Sequence, residues 1–198
     1  MLPIMTTNYS SKLIKDLKSI PSPVFYIFAA VALFCAFFVF GLSAVGVFTA
    51  LFLLLLVACA CADINAGIVP DLAVILIAVL GVIQFIAVEG FTVPGLISRL
   101  IGFVCISVPM LVVSLLMKGA FGGGDIKLMA AAGLYLGWKL TVAGAFIGLF
   151  ISGLYGIYLL ILKKAGKKST IKLAPFLAFG LSLAALFGDV IILLCYGL

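Results

Sequence analysis

Val45 to Val88 reads VGVFTALFLLLLVACACADINAGIVPDLAVILIAVLGVIQFIAV. Two apolar runs, 45 to 61 and 72 to 88, flank a short polar stretch that holds Asp63, Asn65, Gly67, Pro70 and Asp71. Each run approaches or reaches the roughly 17 to 25 residues a helix needs to cross a bilayer, and Asn65, Gly67 and Pro70 supply a turn between them. The pattern repeats outward on both sides, with apolar runs at 24–40, 98–117, 126–138, 140–162 and 174–196. Apolar residues make up 67% of the chain and charged residues 9%, more hydrocarbon than a soluble domain of this size can bury, so lipid is the solvent for most of it. The period-two alternation of a membrane barrel is absent, and helices are then the way for the backbone to satisfy its hydrogen bonds in lipid. The expected fold is an all-α polytopic membrane protein with about seven transmembrane helices. At about 1.5 Å per residue the fifth run reaches roughly 20 Å, short of the hydrocarbon thickness, so it is shielded by its neighbours, re-enters, or thins the bilayer.

The lysines set the expected orientation. With a cytoplasmic N-terminus, Lys12, Lys15, Lys18, Lys118, Lys127, Lys163, Lys164, Lys167, Lys168 and Lys172 all fall inside, leaving Arg99 and Lys139 outside, as the positive-inside rule requires. The net charge of +6 is thus accounted for by topology and anionic lipid, and nucleic acid is not an expected partner. Residues 1–23 read as a cytoplasmic amphipathic arm resting on the membrane surface, and 24–198 as the membrane domain. The first apolar run is too long for an export signal and is expected to be retained. The five cysteines are scattered singly through apolar runs and read as packing thiols. No histidine is present, which removes Ser-His-Asp and Cys-His catalysis.

Six acidic residues remain to be explained, because a carboxylate near a bilayer is costly and marks function by default. Asp16 lies among lysines of the arm, Glu89 reads as a solvated loop residue, and Asp189 sits in the last run toward its outer half. Asp63, Asp71 and Asp125 all fall at cytoplasmic ends of spans. Asp71 follows Pro70 and suits the first turn of a helix, where its charge meets the positive end of the dipole. Asp63, at a helix C-terminus, has no such excuse. Asp125 stands in FGGGDIKLMAAAG, where Gly122, Gly123 and Gly124 let the backbone approach another helix or an extended peptide closely; the bland reading is a loop with a capping aspartate. A phosphate-binding loop is discarded, since GK[ST] is missing and the carboxylate repels an anion. Two carboxylates in one site suffice for peptide hydrolysis without metal or cofactor. The pair shares a proton, the ionised member takes a proton from the attacking water, and the protonated member hydrogen-bonds the developing oxyanion.

At these residues the chain resembles the type IV prepilin peptidases, membrane aspartyl proteases of the GxGD group. Asp63 through Pro70-Asp71 is similar to the family's first aspartate segment, Gly122-Gly123-Gly124-Asp125-Ile126-Lys127 to its GxGD segment, and Ala174 to Gly180 to its PFxPFLAxG segment, without the earlier proline-phenylalanine pair. The resemblance implies that Asp63 and Asp125 are catalytic and that a basic leader is cut from a prepilin-like substrate (Tad/flp pilin or preflagellin) at the cytoplasmic face of the inner membrane; Asp71, Gly122, Gly123, Gly124, Lys127 and Pro175 are expected to bind substrate or to support the site. A break at Pro175 would then free backbone groups to pair with the substrate. Larger bacterial members carry paired CxxC motifs and a methyltransferase activity; none of the five cysteines forms such a motif, so a peptidase without methyl transfer is expected. The bilayer and the substrate are the implied partners, with homodimer formation left open. Two other readings stand beside this one: a small proton- or cation-coupled transporter using Asp63, Asp71 and Asp125, and a packing subunit with GxxxG at Gly144 and Gly148.

Overall fold

The computed structural model describes residues 23–117, 120–162 and 172–197. Residues 1–22 of the expected arm and 163–171 of the basic loop lie outside the described residues. Among those described, every regular element is helical: α1 (Pro23–Phe40), α2 (Ala44–Ala66), α3 (Asp71–Gln84), running on through a π-helical turn (Phe85–Glu89), α4 (Val93–Cys105), α5 (Ser107–Leu116), α6 (Gly123–Leu136), α7 (Trp138–Ile161), α8 (Ala174–Leu186) and α9 (Gly188–Tyr196).

Local chemistry sets the boundaries. Ser43 caps α2 by accepting from the Gly46 N–H at 3.1 Å, and Gly67, at φ 66°, ends it in the left-handed region that glycine enters without strain. Thr92 caps α4 in the same way, accepting from Gly95 N–H at 3.3 Å.

Four stretches are long and apolar enough to cross a membrane: Ala44–Ala66, Asp71–Glu89, Val93–Leu116 and Trp138–Ile161. The last apolar run differs from its expected form: 174–196 is not one straight span but two helices, Ala174–Leu186 and Gly188–Leu194, bent by 90°. Counted as one broken span, the pair brings the total to five. The segments expected at 24–40 and 126–138 are helical but shorter than that length, so the count of seven stays an expectation, as does the side on which the N-terminus lies.

Helices α2, α3, α6 and α8 surround the core, where Phe52, Leu53, Leu56, Ile77, Leu128, Met129, Leu177 and Leu181 are fully buried. Large apolar side chains on other faces, such as Phe38 and Leu116, are instead open to the surroundings, the inversion expected of a chain whose solvent is hydrocarbon. Small residues let the short α6 sit deep. A Cβ on Gly81 of α3 would stand 2.8 Å from the Tyr135 backbone, and one on Gly102 of α4 would collide with the Gly133 carbonyl. The GxxxG pair Gly144 and Gly148 meets Gly180 of α8 in equally close backbone contact, as small-residue helix packing requires.

Candidate active site

Asp63 occupies the last turn of α2, its main-chain carbonyl accepting from the Gly67 N–H at 2.8 Å. The turn after Gly67 carries Val69, and this turn is what α6 is pressed against. A Cβ on Gly124 would stand 2.8 Å from Val69 Cβ, so a side chain there would drive the start of α6 away from the end of α2. The glycine run therefore serves the molecule's own close approach. Gly122 is the N-cap of α6, and the Asp125 carboxylate reaches back to accept its N–H, half of a capping box. A Cβ on Gly122 would meet Asp125 Oδ2 at 2.9 Å. A side chain on Gly123 would meet nothing within 4 Å.

The result is a pair of buried acids. Asp63 is 7% exposed and Asp125 8%, and among the described residues Asp63 Oδ2 and Asp125 Oδ1 have no hydrogen-bond partner. Buried carboxylate oxygens are ordinarily satisfied, because leaving one unpaired costs about 1–3 kcal/mol or more. Asp125 precedes the fifth apolar run and lies in none of the helices long enough to cross a membrane. Burial first, and then the negative charge of Asp63, push its pKa up to about 6, opposed by the Gly122 N–H. Asp63 faces a different set of groups. The Ala174 N–H, in the first turn of α8, hydrogen-bonds its carboxylate, and the Lys172 ammonium acts on it electrostatically while donating to the Ile64 carbonyl next door. Each acid is thus the other's negative neighbour, and Asp63 has in addition the Lys172 ammonium beside it.

Of the expected supporting residues, Asp71 and Lys127 join each other at 3.0 Å, both partly exposed. Their pair ties the start of α3 to α6. It also opens an apolar groove of about 470 Å³ lined by Val74, Ile75, Phe103 and Ala130. Lys127 lies two residues after Asp125, roughly 200° around the helix, so this groove is on the opposite side of α6 from the acids. Pro175 requires a correction. It does not break a helix and free backbone groups; it sits in the first turn of α8, where a missing N–H costs nothing, and the break in that segment is at Phe187 instead.

Sequence reading missed Ala174, whose role is carried by an amide and leaves no side-chain signal. It also missed a polar cluster at the far end of α6. Arg99, placed outside as an orientation marker, is 6% exposed. Glu89, read as a solvated loop residue, is indeed half-exposed, but it is also the ion-pair partner of Arg99 at 2.6 Å.

Residues 50–157 match the model of the type IV leader peptidase family. The prepilin leader peptidase/N-methyltransferase of Bacillus subtilis (strain 168) is 31% identical over 154 residues, 77% of this chain and 60% of that protein. Proteins with the same description from Aeromonas salmonicida (strain A449) and Aeromonas hydrophila are each 33% identical over 72 residues, 36% of this chain and 25% of theirs. The chain thus spans less than two thirds of the length of these curated relatives. No solved structure matches it.

Proposed function

The chain belongs to the type IV leader peptidase family, and from that premise we propose that it is an aspartic endopeptidase that removes the leader of a type IV prepilin-like precursor, with Asp63 and Asp125 as its catalytic pair. The observation that carries this reading is the pair of buried carboxylates, each with one oxygen tied to a backbone N–H or a neighbouring glycine and the other unpartnered among the described residues. Such oxygens are suited to hold a water between them.

In this reading Asp63, the member with the Ala174 amide and Lys172 beside it, acts as the base and takes the proton as water attacks the scissile carbonyl. Asp125, buried beside a negative charge, is the member that stays protonated and hydrogen-bonds the oxyanion. The proton taken by Asp63 then passes to the leaving amine, and the pair returns to its shared-proton state. Gly123, with open space around it, is where an extended substrate strand can approach the backbone. We place this site at the cytoplasmic face of the inner membrane, on the strength of the lysine distribution, and propose peptide cleavage without methyl transfer. The transporter reading gains no support: Asp71 is held by Lys127, and among the described residues no three acidic, cysteine or histidine side chains cluster for a metal ion.

The test is to reconstitute the purified protein in proteoliposomes with candidate prepilins and read the new N-termini by mass spectrometry. Cleavage between a basic leader and the following apolar segment is expected; intact precursors across all candidates would overturn the reading.

A further inference from the structure

Arg99 is a buried charge that the proposed chemistry does not use. It stands on α4, and its guanidinium donates in two directions. Nη1 donates to the Leu134 carbonyl at 2.5 Å and the Tyr135 carbonyl at 2.6 Å. Nη2 donates to Gln84 Oε1 at 2.8 Å and Glu89 Oε1 at 2.6 Å. Gln84 Nε2 closes the cluster by donating to Glu89 at 3.1 Å, and the Phe85 ring lies 4.8 Å below the guanidinium. The acceptors come from the end of α3, the π-turn after it and the last turn of α6.

This arrangement answers a problem that α6 alone has. The helix is 14 residues long, about 21 Å, so its C-terminal carbonyls end inside the protein, where unpaired groups are expensive. A guanidinium at a helix C-terminus pairs those carbonyls and meets the negative end of the dipole. The same helix carries Asp125 at its other end. Its flanks at Gly81, Gly102 and Gly133 are backbone against backbone, while Leu128, Met129 and Tyr135 pack in the core, Tyr135 stacked on Phe52 at 4.1 Å; the guanidinium adds to that packing a directional hold on the helix end.

We propose that Arg99, held by Glu89 and Gln84, is a positioning residue that fixes α6 along its axis and so sets the height of Asp125 against Asp63. The inference rests on the reading of those two acids as the catalytic pair. A helix transmits an axial shift along its whole length, so a slip of about 1 Å at Tyr135 becomes the same slip at Asp125, enough to cost on the order of 100-fold in rate.

The test uses the full chain in proteoliposomes. Arg99→Lys keeps the charge but replaces a planar fork by a point donor; Glu89→Gln, at a half-exposed position, keeps the shape and is the variant expected to fold in any case. Two readouts are taken. For cleavage of a prepilin-like peptide, Arg99→Lys is expected to lower kcat about 10- to 100-fold with KM within about twofold, and Glu89→Gln to lower it less. Independently of any substrate, infrared titration of the Asp125 carboxyl is expected to move toward lower pH in Arg99→Lys, because Asp63 no longer stands as close; Asp71, Lys127 and Lys172, the other charged groups on the elements around it, are unchanged. A shifted titration without cleavage of any prepilin would sustain the positioning role and defeat the peptidase reading. Wild-type kcat and wild-type Asp125 titration in both variants would overturn the inference, as would those results in Glu89→Gln alone if Arg99→Lys does not fold.

Discussion

The two ends of α6 both bury charge, and they treat it in opposite ways. At Arg99 the guanidinium meets four acceptors and lies on an aromatic face. At Asp125 and Asp63, one oxygen of each carboxylate is left without a partner among the described residues. A saturated buried charge has nothing left to offer a substrate and serves architecture, whereas an unsaturated one is costly to keep and is available for chemistry. What sets the proposed reactive acids apart from the structural ion is therefore not burial, which is nearly equal, but how many of their hydrogen-bonding positions the fold has filled.

The contrast can be broken most decisively at the unsaturated end. Asp63→Asn and Asp125→Asn each remove a titrating oxygen while keeping size, and each is expected to lower leader cleavage by about 1000-fold or more with the protein still folded; quantifying the cleaved fraction in membranes checks this, and near-normal cleavage by either variant would end the two-acid mechanism. Next comes the close approach that brings the acids together. Gly124→Val places side-chain atoms where Val69 already stands, an overpacking of about 1–3 kcal/mol, and is expected to reduce activity by about 10- to 100-fold; Val69→Ala in the same chain should restore part of it, which a double-mutant comparison of kcat measures.

A third effect sharpens the contrast through pH. Because burial and Asp63 raise the Asp125 pKa to about 6, the protonated form that the proposed mechanism needs as oxyanion donor is present below that pH and lost above it. The rate profile should therefore fall as pH rises past about 6, approaching tenfold per unit. A flat profile from pH 6 to 8 would show that a protonated Asp125 is not required. The smallest effect belongs to the exposed pair. Asp71→Asn frees Lys127 at the surface, where such pairs contribute about 0–1 kcal/mol, and a change in stability or cleavage of under about fivefold is expected from melts and rates measured side by side.

Much of this was legible because it is local. Gly67 and Pro70 punctuate the apolar runs by chemistry that acts within a few residues, and the excess of hydrocarbon over charge requires helices in lipid whatever their arrangement. The acids stood out for the same reason: in so apolar a chain each needs a purpose, and the family motifs around Asp63 and Asp125 lie within short stretches. Arg99 misled, because its position relative to the spans marks it as an outer charge, and only the return of α6 between α3 and α4 brings carbonyls to it; Glu89 stays half-exposed, and what the sequence did not show is that it accepts from Arg99. Pro175 misled differently: read as a break that frees backbone groups, it stands in the first turn of α8, where proline needs no N–H partner.

The residue order by itself determined the helical class, the membrane as solvent and the acids proposed for the chemistry, since each follows from side-chain type and spacing along one segment. The tertiary structure decided which oxygens are satisfied, that an amide at Ala174 faces Asp63, and that Arg99 holds the far end of the helix bearing Asp125. Those facts depend on backbone groups from segments tens of residues apart, and every residue except proline carries the same N–H and C=O, so the sequence has no letter with which to write them.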